Sequence, residues 1–242
     1  MKKILPLLGL VIMTSAAVAQ DSPIPEKKKK ETIDLSNRSN DHFMVQFGLA
    51  GWSGIPDTIN KSGFSKSFNV YFLFDFPFKN NPKLSFAFGP GIASDHILFG
   101  STRVGIKDPT SQIHFTNASD TNHYKKTKLA MTYLEAPIEF RYSTDPLRGK
   151  GFKVAVGLKV GTMINAHTRN TKYQDKNGSS LTDHTLKESS KQFFNKNRIS
   201  FMGRVGYGHF SLFGSYQLTP LFADGKGPLV KPFSIGLTLS GL

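Results

Sequence analysis

The sequence predicts an all-β fold, an eight-stranded antiparallel up-and-down transmembrane β-barrel. Eight segments alternate apolar and polar residues with the period of two that is typical of strands. Long and short connections alternate between these segments. The polar faces are rich in glycine and alanine, which the narrow interior of a small barrel requires and a water-exposed sheet does not. Together these three observations favour a closed barrel embedded in lipid.

The N-terminal residues predict export from the cytoplasm. Two lysines precede a short apolar stretch, and an Ala-Val-Ala cleavage site ends at Ala19. We predict a cleavable signal peptide at 1–19 rather than an N-terminal membrane anchor, because the apolar stretch is too short to cross a bilayer. Residues 20–40, with two prolines and a run of four lysines, predict a flexible basic periplasmic leader. The outer-membrane barrel domain is predicted at 41–242.

The composition restricts the class of protein. The 242-residue chain has no cysteine, which excludes a disulfide framework and a cysteine-ligated metal site. Its formal net charge is +14. In an exported protein we expect anionic lipid head groups or polysaccharide, and not nucleic acid, to supply the counter-charge. The alternative is that the charge only keeps the loops and leader soluble.

The first four strand segments carry their large apolar residues at alternate positions. They are FMVQFGLAG at 43–51, SFNVYFLFDF at 67–76, LSFAFGPGIA at 84–93 and TYLEAPIEFRY at 132–142. Phenylalanine makes up half or more of the apolar face in each of the first three, and the opposite faces are rich in small, polar or charged residues. Ten residues tilted by about 45° span about 24 Å, close to the apolar band of an outer-membrane barrel.

The remaining four segments continue the pattern. They are GFKVAVGLKVG at 151–161, RISFMGRVGY at 198–207, HFSLFGSYQL at 209–218 and PFSIGLTLSG at 232–241. In a soluble sandwich or lipocalin-like barrel the apolar faces would point inward, whereas in an outer-membrane barrel they point into lipid. The glycines and alanines of the polar faces favour the membrane barrel.

The connections show the same alternation. The long ones, at about 52–65, 95–128, 165–197 and 219–231, are rich in Asn, Thr, Ser, Lys and Asp. A compact soluble domain seldom holds two structureless loops of about thirty residues. Outer-membrane barrels routinely do, with short turns on the periplasmic side and long loops outside.

Charged residues on the polar faces predict a cluster inside the barrel. Its members are Asp75, Glu135, Glu139, Arg141, Lys153, Lys159 and Arg204. Charges in a confined space are unfavourable unless they are paired and hydrated, so we expect Glu135 or Glu139 to meet Lys153, Lys159 or Arg204 across the fourth, fifth and sixth segments. A selectivity or gating role is one interpretation. A structural plug is favoured, because eight strands enclose little more than side chains.

The segment TYLEAPIEFRY at 132–142, followed by a short turn and the glycine-rich GFKVAVGLKVG, carries a resemblance. The chain resembles the small outer-membrane β-barrel family of Bacteroidota, known as porin-family or PorT-family proteins, over residues 41–242. The resemblance implies a barrel in the outer membrane of a Gram-negative bacterium. PorT itself is associated with a protein secretion and gliding apparatus, and the resemblance implies such a role as an alternative for this chain.

The sequence contains no pattern that predicts an enzyme. H-E-x-x-H, P-loop and G-x-S-x-G motifs are all missing. Five histidines lie in the long connections, His96, His114, His123, His167 and His184. A catalytic histidine at the outer rim or a metal site is the alternative, but their spacings suggest no shared face. We therefore predict no catalytic, cofactor-binding or metal-binding residues.

These patterns predict an integral outer-membrane protein with a structural or surface-interaction role through long extracellular loops. A PorT-like component of a secretion apparatus and a small narrow channel are the alternatives. The expected partners are outer-membrane lipid and lipopolysaccharide, the outer-membrane assembly machinery, and a protein or polysaccharide ligand at the loops.

Overall fold

The computed structural model describes residues 42–57, 59 and 62–241. The predicted signal peptide and leader lie outside these residues. Within them, no helix is long and apolar enough to cross a membrane. The described strands are β1 (Phe43–Ser53), β2 (Lys66–Phe72), β3 (Phe74–Phe78), β4 (Asn81–Phe88), β5 (Gly91–Phe99), β6 (Thr102–Val104), β7 (Phe115–Asn117), β8 (His123–Ser143), β9 (Phe152–Gln174), β10 (Ser180–Ser189), β11 (Asn197–Tyr207), β12 (Phe210–Gln217) and β13 (Lys231–Ser240).

The strands close into an antiparallel ring. Its order is β1–β2–β5–β8–β9–β11–β12–β13, and β13 pairs with β1. The short strand β3 continues β2, and β4 continues β5. These two pair with each other, and β4 also pairs with β8, so the ring has eight strands. The predicted eight-stranded antiparallel barrel is confirmed. Where β4 meets β5, Pro90 offers no N–H to the ladder, and its carbonyl accepts a 2.9 Å hydrogen bond from the Phe72 backbone.

The apolar side chains of the ring point outward. Phe68, Phe140 and Ile235 are 50–59% exposed, while Glu139 and Met202 on the opposite faces are fully buried. The soluble alternative, with the apolar faces inward, is therefore wrong. We call the outward apolar surface of the eight strands the apolar belt. In an outer-membrane barrel this surface contacts hydrocarbon.

The connections differ at the two ends of the barrel. Connections 79–80, 144–151 and 208–209 are short and define the turn end. Connections 54–65, 100–122, 175–196 and 218–230 are long and define the loop end. This asymmetry agrees with the sequence prediction.

The prediction of structureless loops at 95–128 and 165–197 is wrong. Strand β5 runs on to Phe99, β8 begins at His123, β9 extends to Gln174, and β10 returns along β9. A single extra residue, Ile164, produces a register shift between β8 and β9, and beyond it the two strands stay paired. Paired backbone groups keep these extensions in strand form after they leave the belt. The barrel wall is therefore much taller on one side than a membrane requires.

Candidate functional site

Strand β9 determines where charges can meet inside the barrel. Its inward positions from 153 to 161 hold two lysines, one alanine and two glycines, and each of the three small residues lies between larger ones of β8 and β11. Gly161 is opposite Glu135 on one side and Arg198 on the other. A Cβ atom added at Gly161 would lie 2.7 Å from Glu135 Cγ. The missing side chain therefore gives Glu135 and Arg198 the space to meet across β9.

One group of charges lies toward the turn end. Glu139 Oε2 accepts hydrogen bonds from Arg141 Nε at 2.7 Å and from Arg204 Nη2 at 3.0 Å. Arg141 Nη1 is also 3.6 Å from Asp75 Oδ1. All four side chains are at most 7% exposed. Ala155 separates the two arginines in the sheet, and the two carboxylates of Glu139 and Asp75 offset their two positive charges.

A second group lies nearer the loop end. The Arg198 guanidinium donates to Glu135 and to Asp95, the latter at 2.8 Å. The Tyr71 hydroxyl donates to Glu135 at 2.7 Å. The same guanidinium stacks 3.6 Å from the ring centroid of Tyr133, a cation–π contact that also orients it.

The two predicted lysines occupy different places. Lys159 is buried between the two groups and donates to Gln46 Oε1 at 3.2 Å. Lys153 is half-buried and lines a cavity at the turn end together with Asp75 and Arg204. The structure thus brings Asp75, Glu139, Arg141 and Arg204 together and places Glu135 in the other group.

Sequence reasoning missed Arg198 and Asp95. Arg198 and Arg204 are six residues apart in one strand, so their side chains point to the same face. The alternation of the sixth segment therefore indicates that Arg198 also points into the barrel. The predicted third segment ends at residue 93, which places Asp95 in a predicted loop. The alternation of β5 continues past that point, with Asp95 and Ile97 both inward.

The interior next to these charges is almost filled. The cavity at the turn end measures about 30 Å³, and the cavity beside Glu135 and Arg198 about 20 Å³. A single water needs roughly 10–15 Å³ by the same measure. These cavities can hold a water or two and no larger solute.

An apolar cluster covers the interior at the loop end. Trp52 at the end of β1 packs its ring against Phe99, Phe115 and Phe222, with centroids 5.6, 6.2 and 6.1 Å away. Inward residues of β8 and β9 join it, including Leu129. We call this cluster the apolar cap. It ties together loop-end segments that are distant in the sequence.

A cleft opens beside the cap, between β6, β8, β9 and β10. Its volume is about 350 Å³, which lies within the range of small-ligand sites. We call it the loop cleft. Its lining includes Arg103, His123, Tyr124, Asn170, Tyr173 and Glu188. The rings of Tyr124 and Tyr173 are 5.1 Å apart, and the Tyr124 hydroxyl is 2.9 Å from His184 Nε2.

Hydrogen bonds fix two of the polar groups in the loop cleft. His123 Nδ1 lies 2.7 Å from the Thr121 carbonyl, and its Nε2 lies near Ser101 Oγ and Gln174 Nε2. Nδ1 can donate to the Thr121 carbonyl, and the single lone pair of Nε2 can accept from one of its two neighbours. Arg103 binds both carboxylate oxygens of Asp108, and these hydrogen bonds raise the pKa of Arg103.

Within the described residues, no group of three or more His, Asp or Glu side chains is placed to hold a metal ion.

Residues 19–223 match the family model described as Outer membrane protein beta-barrel domain. A crystal structure of Ail, the attachment invasion locus protein of Yersinia pestis, in complex with the heparin analogue sucrose octasulfate, is similar at 9% identity. It covers 82% of this chain and 94% of that chain, with a TM-score of 0.37. A second crystal structure of Ail has 12% identity, the same coverage and a TM-score of 0.32. A search of curated proteins gave no match.

Proposed function

We propose that this chain, which belongs to the outer-membrane protein β-barrel domain family, presents a polysaccharide-binding cleft at the cell surface. The loop end faces outward and the turn end faces the periplasm, as the lengths of their connections favour. The observation that carries the proposal is the loop cleft, a formed site on a barrel whose interior is filled.

The interior supports binding over transport. Paired charges and fully buried side chains occupy the cross-section, and the apolar cap covers them at the loop end. The cavities beside these charges measure only about 20 and 30 Å³, which disfavours the narrow channel. The PorT-like role follows from the resemblance alone, and no contact of the described residues favours it.

The loop cleft supports a saccharide as the ligand class. Tyrosine rings offer flat apolar surfaces with polar edges, which suit the C–H faces and hydroxyls of a sugar ring. Asn170 and Glu188 add an amide and a carboxylate, which together can donate to and accept from hydroxyls. The cleft is open to solvent at the loop end, as a polymer ligand would require.

The test is binding of the detergent-purified chain to an array of neutral and acidic oligosaccharides. We expect Tyr173→Ala and Glu188→Gln each to lower the affinity for the bound saccharide about tenfold, the loss of one aromatic or charged contact. Tyr142→Ala, which removes an outward tyrosine at the turn end, should leave it unchanged. Heat-modifiable gel mobility confirms that each variant is folded. No binding to any saccharide, or equal losses in all three variants, contradicts the proposal.

A further inference from the structure

Basic side chains gather on the outer surface of the tall side of the barrel, immediately beyond the apolar belt. They come from β2, β5, β8, β9 and β10, and we call them the basic face: Lys66, His96, Lys128, His167, Arg169 and Lys187. All six are exposed or half-buried. Most of them fall in connections for which the sequence predicts no strand pairing, so it does not predict that they share a face.

Strand register arranges the basic face in two rows. Lys66 pairs with His96, and both His96 and His167 pair with Ala130, which gives one row across four strands. One step further from the belt, Arg169 pairs with Lys128 on one side and with Lys187 on the other. Directly paired residues of neighbouring antiparallel strands lie on the same face with Cβ atoms about 5 Å apart. The cations are therefore close neighbours.

Among the described residues, no carboxylate is paired with a member of these rows. Glu188 pairs with Thr168, which is buried on the inner side, and Asp95 is also inward. None of the ion pairs within the described part of the chain involves the six side chains. His167 lies beyond the belt, and partial burial together with the nearby charges of Lys187, Lys128, His96 and Arg169 lowers its pKa. The basic face is thus a site of mutual repulsion that a bound anion would relieve.

The surface between the basic face and the belt changes polarity in steps. A row of hydroxyl and amide groups comes first. Ser94 Oγ lies 3.0 Å from His96 Nε2, and Asn165 Nδ2 lies 3.1 Å from His167 Nδ1. Next on the same strands is an apolar groove of about 680 Å³, whose lining includes Leu134, Ala136, Val160 and Thr162. The order along β8 and β9 is cation, hydroxyl, hydrocarbon.

We infer that the basic face and the groove bind one phosphorylated lipid of the outer leaflet, of the lipopolysaccharide type. Its phosphates lie against Lys128, Arg169 and Lys187, its sugar or ester groups meet the hydroxyl row, and an acyl chain fills the groove. The steps in polarity match those of such a lipid from phosphate to chain. The leaflet assignment rests on the proposed outward loop end, whereas the binding chemistry does not.

The experiment measures lipid binding to the full chain in detergent by native mass spectrometry. The probes are lipid A with its phosphates and lipid A from which they have been removed. Phosphorylated lipid A should bind more tightly, and the triple variant Lys128→Gln, Arg169→Gln, Lys187→Gln should lose roughly tenfold or more of that affinity. The matched control is Lys107→Gln, Lys125→Gln, Lys176→Gln, three exposed lysines of the loop end, which should bind like the parent.

Three results would overturn the inference. They are equal affinity for the two forms of lipid A, an equal loss in the control triple variant, and capture of a soluble sulfated polysaccharide by the basic face in place of lipid A. Increasing the salt concentration should weaken binding of the phosphorylated form only. Because the loop cleft is left intact, saccharide binding on the array separates failure here from failure of the proposed function.

Discussion

Glu139 shows how single residues hold the interior of this barrel together. Its carboxylate is fully buried and accepts hydrogen bonds from both Arg141 and Arg204. One negative charge therefore attracts two positive ones. Gly157 and Ala155 on the intervening strand leave room for this contact. The sequence predicts these charges inside the barrel because side chains alternate between the two faces along a strand, and this alternation can be read from neighbouring residues alone. It does not predict which cation meets which carboxylate, because that depends on the tilt and register of strands distant in sequence.

Replacement of Glu139 by Gln should destabilise the barrel strongly. The amide keeps the shape of the side chain but leaves Arg141 and Arg204 buried with less opposite charge, a loss of about 3–5 kcal/mol in the free energy of unfolding. Urea titration of the protein folded in lipid vesicles measures it. Asp224→Asn removes an exposed carboxylate of the loop end and should change the same free energy by less than about 0.5 kcal/mol. Equal stability of the two variants would show that the arginines do not depend on Glu139.

At the scale of elements, the polarity of the strands inverts where they leave the belt. Within the belt, β8 places Leu134 and Ile138 outward and Glu135 and Glu139 inward. Beyond it, polar residues such as Lys128 point outward, and the apolar ones point inward to the cap. Along β8 the period of two is unbroken, whereas in β9 the extra residue Ile164 shifts it by one position, and in both strands the apolar residues beyond the belt face inward. Outward apolar positions therefore mark the eight spanning segments but not the extensions of the tall strands.

Trp52 tests whether the loop-end segments depend on the cap. Trp52→Ala removes the ring that packs against Phe99, Phe115 and Phe222, and truncation of a buried aromatic residue costs about 3–5 kcal/mol. We expect 100–122 and 218–230 to become sensitive to protease while heat-modifiable mobility of the barrel is retained. Limited proteolysis followed by mass spectrometry locates the cuts.

The matched control is Phe64→Ala, because Phe64 is 75% exposed at the same end of the barrel. Its protease pattern should equal that of the parent chain. If Trp52→Ala is equally resistant, strand pairing and not the cap holds the loop end.

At the scale of the whole molecule, the two ends of the barrel have different chemistry. The turn end is compact, whereas the loop end carries the cap, the loop cleft and the basic face. The sequence predicts this polarity through loop length, because hairpin turns need few residues and a binding surface needs many. It cannot predict the cleft or the basic face, since both depend on pairing β8 with β9 and β9 with β10 outside the belt.

The absence of cysteine gives a direct test of that polarity in living cells. Asn177 is exposed in the turn between β9 and β10, and Asn80 is exposed in the short turn between β3 and β4. With the loop end outside, Asn177→Cys should react with a membrane-impermeant maleimide on intact cells, and Asn80→Cys should react only after the outer membrane is opened. Each variant has one thiol, so labelling is read as a single band shift. Labelling of Asn80→Cys alone on intact cells would reverse the orientation and would move the loop cleft and basic face to the periplasmic side.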